Sequence, residues 1–245
     1  MVTIRCGQIE FNNIEAIIFD KDGTLENSQS YLRELGLRRA RLIDAQIPGI
    51  GEPLLMAFGI QNNHLDPTGL MAVGSRQENK IAAAAYIAET GRSWFESLAI
   101  ANHAFTEADQ YLPRNSLTSP LFLGSLDVLK LLSEAGLKLG ILSAASTKNV
   151  HDFVKEHQLS DYIQLMMGVE GTLSKPDPRL FIQACQSLGV APHATLMVGD
   201  SQGDITMAQQ GGAAGTIGIC WGNSQAAHLQ KADIIITQID QIQLC

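Results

Sequence analysis

Asp20-Lys21-Asp22-Gly23-Thr24-Leu25 is the stretch on which the reading of this chain turns. It follows Ile14-Glu15-Ala16-Ile17-Ile18-Phe19, an apolar run that predicts a buried strand. Two carboxylates two residues apart at the C-terminal end of such a strand repel each other. They stand together only where a cation or a proton offsets them. In an open α/β sheet that same strand end is where ligands bind. An isolated D-x-D is common in surface turns, whereas D-x-D-G-T-L directly behind a hydrophobic strand is a far more specific signal.

Further along the chain, from Leu121 onward, helical and strand patterns alternate. Leu126 to Leu132 has helical spacing and stops at Gly136, a natural left-handed cap. Leu137 to Ser143 predicts a strand, Thr147 to His157 a helix and Tyr162 to Met166 a short strand. Arg179 to Leu188 predicts a helix begun by Pro178 and closed by Gly189. Thr195 to Asp200 is another buried strand ending in a carboxylate, with weaker strand candidates at Thr216 to Cys220 and Asp233 to Ile236. This alternation implies right-handed crossovers and a doubly wound, mainly parallel α/β sheet.

Between Leu25 and Pro120 the strand-like runs give way to helical spacing. Trp94, Leu98, Ala101, Phe105 and Ala108 fall along one helix face, and Ile81, Ala84, Ala85 and Ala88 along the preceding one. Both stripes are read as core. Arg38, Arg39 and Arg41 are read as a solvated face. The polar segment from Asn115 to Pro120 has the character of a linker. The expected organisation is therefore an α/β core domain over 1–25 and 119–245, interrupted by a helical domain over 26–118.

The chain has 245 residues, enough for one substantial core plus a smaller unit. A formal net charge of −8 argues against a nucleic-acid-binding stripe or a polybasic membrane anchor. No segment approaches the roughly 18 consecutive apolar residues of a membrane span, and Met1 to Cys6 lacks a signal core. Cys6, Cys185, Cys220 and Cys245 are scattered without C-x-x-C pairing, and the six histidines show no metal spacing. A cytoplasmic protein with reduced thiols is expected, with no nucleic-acid or membrane partner, as a monomer or homodimer.

Three more features fall at or just past predicted strand ends: Ser143, Lys175 in Ser174-Lys175-Pro176-Asp177-Pro178, and the pair Asp200 and Asp204 in Gly199-Asp200-Ser201-Gln202-Gly203-Asp204. In a parallel sheet those ends converge on one edge. Singly, Ser143 is equally a helix N-cap, Lys175 a loop lysine, and Asp200 and Asp204 caps of the next helix. In this order the set resembles the haloacid dehalogenase-like hydrolases, a superfamily dominated by phosphatases. D-K-D-G-T-L resembles its first motif, Ser143 its second, Lys175 its third and G-D-S-Q-G-D its fourth. The resemblance spans the whole chain, and its helical insert is similar to the cap of the phosphoglycolate phosphatase and β-phosphoglucomutase branch. One departure is Ala144, where that branch often has Asn.

The resemblance implies a magnesium-dependent phosphatase acting on a small phosphomonoester, with 2-phosphoglycolate the favoured substrate. A sugar phosphomutase or a non-catalytic phosphate-binding module are the alternatives. Asp20 is implied as the nucleophile that forms an aspartyl-phosphate. Hard oxygen ligands suit Mg2+, and Asp20, the backbone carbonyl of Asp22, and Asp200 are implied to hold it, with Asp204 a ligand or the holder of a bound water. Asp22 is implied as general acid and then base, a role that requires it to start protonated; the like charge of Asp20 works in that direction. Gly23 permits a sharp turn and close backbone approach to phosphate, and Thr24 offers a hydroxyl beside the loop. Ser143 and the N–H of Lys21 or Asp22 are implied to bind phosphoryl oxygens, and Lys175 to supply positive charge. Ser75 and Glu78 have capping-box spacing, which places Arg76 at a helix start. From there Arg76 is a candidate contact for an anionic part of the leaving group.

Overall fold

The continuous apolar run Ala16–Phe19 sets the architecture, because all four residues are buried and point by turns to opposite faces of a sheet. The computed structural model describes residues 2–171, 173–222 and 226–245. The chain starts with an antiparallel pair, β1 (Val2–Cys6) and β2 (Ile9–Ile14), and enters β3 (Ala16–Phe19) one residue later. Ile14 thus belongs to the hairpin rather than to the strand that carries the acidic loop.

Next comes the helical unit, Ser28–Ser119. It holds α1 (Gln29–Asp44), α2 (Gly51–Phe58), the two-residue strands β4 (Ile60–Gln61) and β5 (His64–Leu65), α3 (Leu70–Val73), α4 (Arg76–Glu89) and α5 (Trp94–Tyr111). Its own core includes Ile43, Leu54, Phe58, Ile87 and Phe105. Along α5 the expected face is buried at Ala101, Phe105 and Ala108, but Trp94, at the first position, is 43% exposed. On α4 the expected face is rotated: Ala84 is buried as expected, but Ile81 is 44% exposed and Ala85 is exposed, and the inward row is Asn79, Ala83, Ala84 and Ile87. A polar residue leads that row because Asn79 Nδ2 donates to the carbonyls of Leu70, Gly74 and Ser75, although its Oδ1 is buried with no hydrogen bond among the described residues.

The second compact unit joins the residues up to Asn27 with Pro120–Cys245. After α6 (Ser125–Glu134) come β6 (Lys138–Ser143), α7 (Thr147–Glu156), β7 (Leu165–Gly168), α8 (Pro178–Leu188), β8 (Thr195–Gly199), α9 (Gln202–Gln210), β9 (Gly215–Ile219), β10 (Ile234–Ile236) and β11 (Ile242–Leu244). The six-stranded sheet runs β10-β9-β8-β3-β6-β7, with every neighbouring pair parallel. Ile17 and Phe19 face α6 and α7, and Ala16 and Ile18 face α8 and α9, so the sheet is wound on both sides. Burying each such isoleucine or phenylalanine is worth roughly 1.5–3 kcal/mol. A separate antiparallel sheet, β11-β1-β2, joins the two chain ends.

The strand expected over Tyr162 to Met166 is displaced to Leu165–Gly168. Tyr162 and Ile163 instead donate their N–H groups back to the Leu159 carbonyl, closing a turn that buries Ile163. All four cysteines are free thiols. No helix among the described residues is long and apolar enough to cross a membrane.

Candidate active site

Strand order reverses at β3, with β6 on one side and β8 on the other, and in open α/β sheets the C-terminal strand ends at such a switch point are where ligands bind. Asp20 follows β3 directly and donates its N–H to the Val198 carbonyl at 2.8 Å, which ties it to the end of β8. Asp200 follows β8. Their juxtaposition is therefore a consequence of register: Phe19 pairs with Val198 in the parallel ladder.

Past Asp20 the chain folds back on itself. The Lys21 carbonyl accepts from the N–H groups of Leu25 and Glu26, both at 3.0 Å, and Gly23 donates to the Glu26 carbonyl at 2.9 Å. Gly23 sits at φ +79, and a Cβ there would lie 1.9 Å from Asp200 Oδ2. The glycine is required by both backbone and neighbour. The expectation tied it to phosphate approach; the structure shows it making room for a carboxylate.

On the other strand end, Ser201 is the N-cap of α9 and Asp204 completes a capping box with it. Asp204 Oδ2 accepts from Ser201 Oγ at 2.6 Å, while Oδ1 turns to the Lys175 ammonium at 2.6 Å. Lys175 also donates to Asp20 Oδ1 at 2.5 Å. Its loop is fixed by Asp177, the N-cap of α8, which accepts from Arg179 N–H. The Arg179 guanidinium and that N–H hold the half-buried Asp177 carboxyl down at about 2.

Asp20, Asp200 and Asp204 present carboxylate oxygens within 4.8 Å of one another. Burial pushes Asp20 up to about 7, with the charges of Asp204 and Asp22 adding to it and Lys175 opposing. Asp200 rises well above the carboxylate range for the same reason, burial first and then the charges of Asp20 and Asp204. Burial alone would lower Lys175, but Asp20 and Asp204 outweigh it and hold the ammonium above its ordinary range. Three negative charges against one positive leave a formal deficit of two. The donors are hard oxygens, and Asp204 Oδ1, though ion-paired, is buried with no hydrogen bond among the described residues. Such a set fits a divalent cation.

The remaining predicted residues fall in three places. Asp22 and Thr24 lie on the same loop as Asp20; the Thr24 hydroxyl is buried without a hydrogen bond among the described residues, while its carbonyl accepts from Trp221 Nε1. Ser143 is buried at the end of β6, next to β3, and its Oγ accepts from the Ala145 N–H. The N-cap of α7 is Ser146, so Ser143 is not committed to capping. Arg76 belongs to the helical unit, beside the Ser75–Glu78 capping box, and pairs with Asp109 at 2.9 Å. Arg39, expected on a solvated face, is buried: it shares Asp109 at 3.0 Å and lies over the Phe105 ring at 4.2 Å. Sequence reasoning missed Lys21 as a side chain, and Glu26 altogether. Both are buried and joined at 2.8 Å, and no periodicity marks either one, because a loop carries none.

Clustered carboxylates only partly offset by one amine, at the switch point of a doubly wound sheet, define an α/β protein with an acidic, cation-ready centre. The chain belongs to the haloacid dehalogenase-like hydrolases, whose family model matches residues 14–212. It is similar to Probable phosphatase IndB of Dickeya dadantii, 28% identical over 89% of this chain and 86% of that protein. It is also similar to phosphoglycolate phosphatase of Escherichia coli, 29% identical over 50% of this chain and 49% of that one. Among solved structures, a predicted phosphoglycolate phosphatase from Haemophilus somnus aligns with TM-score 0.70 at 23% identity over 91% of this chain and 94% of that one. A β-phosphoglucomutase from Clostridium difficile aligns with TM-score 0.64 at 18% identity over 94% and 93%. These two likenesses speak to the fold alone.

Proposed function

We propose that this protein is a magnesium-dependent phosphatase that hydrolyses a small phosphomonoester, with 2-phosphoglycolate the favoured substrate, through an aspartyl-phosphate on Asp20. The observation that carries the proposal is the Lys175 ammonium held between Asp20 and Asp204, with Asp200 completing a three-carboxylate cluster at the switch point. Unaided phosphomonoester hydrolysis is extremely slow, and its catalysis is mostly positioning and charge neutralisation.

Asp20, Asp200 and Asp204 would hold Mg2+, with the Asp22 backbone carbonyl, and the ion supplies the positive charge that lets one anion approach another. Asp20 attacks phosphorus, forming a P–O bond as the ester P–O bond breaks. Asp22 gives its proton to the departing alcohol, then takes one from the water that attacks the acyl-phosphate and frees Asp20. Lys175 fixes the Asp20 carboxylate and offsets charge on the transferring group. The Ser143 hydroxyl and the N–H of Lys21 or Asp22 donate to phosphoryl oxygens, and Thr24 stands beside the same loop. Arg76 is proposed to pair with an anionic part of the leaving group, which 2-phosphoglycolate has and a neutral sugar phosphate lacks.

The test is a panel of phosphorylated metabolites assayed for inorganic phosphate, with Mg2+ and with EDTA. Phosphate release that needs Mg2+ and favours a carboxylate-bearing substrate is expected, with Arg76→Ala reducing that preference. Isomerisation of a sugar phosphate without phosphate release would make the protein a mutase instead. Binding without turnover of any compound would make it a phosphate-binding module.

A further inference from the structure

The residue between the two acidic motif positions has a side chain with no task in the mechanism above. Lys21 is fully buried, and its Nζ donates to Asp22 Oδ2 at 2.7 Å and to Glu26 Oε2 at 2.8 Å. The Phe153 ring lies 5.6 Å from the ammonium. Taking an ammonium and a carboxylate out of water is expensive, and an apolar side chain in the same place is often the more stable choice. Stability is therefore a poor reason for this pair. Its geometry supplies another. Lys175 holds Asp20 and Lys21 holds Asp22, so two carboxylates two residues apart are each fixed by a different amine.

Glu26 is what makes this tether stiff. The 20–26 loop is already closed by the Lys21 carbonyl, which accepts from Leu25 and Glu26, and by Gly23 N–H on the Glu26 carbonyl. Glu26 lies in a bridge pairing with Asp22 on one side and with Leu121 on the other. Its carboxylate, 2% exposed, thus anchors the ammonium from a fixed piece of backbone. A side chain that must give a proton to one oxygen and later take one from another has to be held within a fraction of an ångström of its station.

We infer that Lys21, anchored by Glu26, is a positioning residue that holds the Asp22 carboxyl group where it exchanges its proton with the leaving oxygen and then with water. The inference rests on the hydrolase reading proposed above. It is specific in its consequence, because proton donation matters only where the leaving group needs a proton. An alkoxide needs one; 2,4-dinitrophenolate does not.

The experiment compares kcat/KM, which reports the chain of steps through leaving-group departure, for an alkyl phosphate that the wild type hydrolyses and for 2,4-dinitrophenyl phosphate. The variant is Lys21→Met with Glu26→Gln, which removes the ammonium together with the buried carboxylate that anchors it and releases Asp22 from the tether. The expected result is a loss of about 10- to 100-fold on the alkyl phosphate and less than about 3-fold on the dinitrophenyl ester, a fraction of what general acid catalysis usually contributes. Equal losses on both substrates would assign Lys21 a merely structural role, and no loss on either would assign it none; each result overturns the inference. Should that variant fail to fold, the protected ammonium signal of Lys21 is followed by 15N NMR in the wild type and in Asp22→Asn. A shifted signal supports the tether and an unmoved one refutes it. Asp22→Asn in the same kinetic assay separates the two levels: if it shows the leaving-group split and the Lys21 variant does not, only this inference fails. A wild type inactive on both phosphates removes the hydrolase reading itself.

Discussion

Replacing Gly23 by alanine strikes the carboxylate cluster through the backbone. A Cβ at this position would lie 1.9 Å from Asp200 Oδ2 and 2.7 Å from Cγ, while ordinary contact begins at 3.4 Å. The Asp200 carboxylate would have to retreat by about 1.5 Å on these distances. The left-handed backbone at φ +79 adds about 1–2 kcal/mol for a residue with a Cβ. Moving one carboxylate away from two others costs little electrostatically, so the loss of stability should stay near that figure, a fall in Tm of about 2–8 °C. The functional loss should be much larger, since a 1 Å misplacement can cost about a hundredfold. Gly136→Ala is the control: φ is +82 and no atom lies within 4 Å of its Cβ, so it carries the same backbone strain without the clash. Urea unfolding and kcat/KM across a Mg2+ titration should show both variants destabilised alike. Only Gly23→Ala should lose about a hundredfold in activity and need more Mg2+. If the Gly23 variant kept its activity and Mg2+ dependence, the idea that this glycine places Asp200 would be refuted.

Two other outcomes follow from the same cluster. Lys175→Met removes the cation from between Asp20 and Asp204; leaving buried carboxylates unpaired should cost about 3–5 kcal/mol in EDTA at pH 8, less at pH 5 where a proton takes the place of the ammonium, and unfolding curves unchanged at both values would count against the ion pairs. In metal-free protein, Asp20 titrates near 7 when folded and 3.8 when unfolded, so its contribution is fully present below about pH 4 and is lost as pH rises through 7, roughly 4 kcal/mol at most. The EDTA-treated protein should therefore be more stable at pH 5 than at pH 8, and apparent Mg2+ affinity should weaken below pH 7 as protons compete for the site; opposite slopes would contradict the assignment.

How much of this was visible in the sequence depended on whether a residue's neighbours were local. The β3 strand, its acidic loop and the β8 strand are marked by apolar runs ending in carboxylates, and their meeting follows from parallel winding. The capping box at Ser75 is a four-residue pattern and forms as such. What stayed hidden depends on contacts distant in sequence or on loops. The β11-β1-β2 sheet pairs the two ends of the chain, which no window of neighbouring residues records. Arg39 is buried because Asp109, seventy positions on, faces it. The inward phase of α4 is hidden because Asn79 turns inward, its Nδ2 held by the carbonyls of Leu70, Gly74 and Ser75. Lys21 sits beside two carboxylates in a turn, where an exposed lysine is the ordinary expectation, and only the fold shows its ammonium buried against Glu26.

The most direct test is chemical trapping of residue 20. Enzyme turning over substrate in Mg2+ is quenched in acid, reduced with borohydride and digested, and the peptide containing Phe19 to Leu25 is sequenced by mass spectrometry. Borohydride reduces an acyl-phosphate to an alcohol, so the account predicts homoserine in place of Asp20, appearing only when substrate and Mg2+ are both present. Unmodified Asp20 under steady turnover, or homoserine at position 22, 200 or 204, would contradict it.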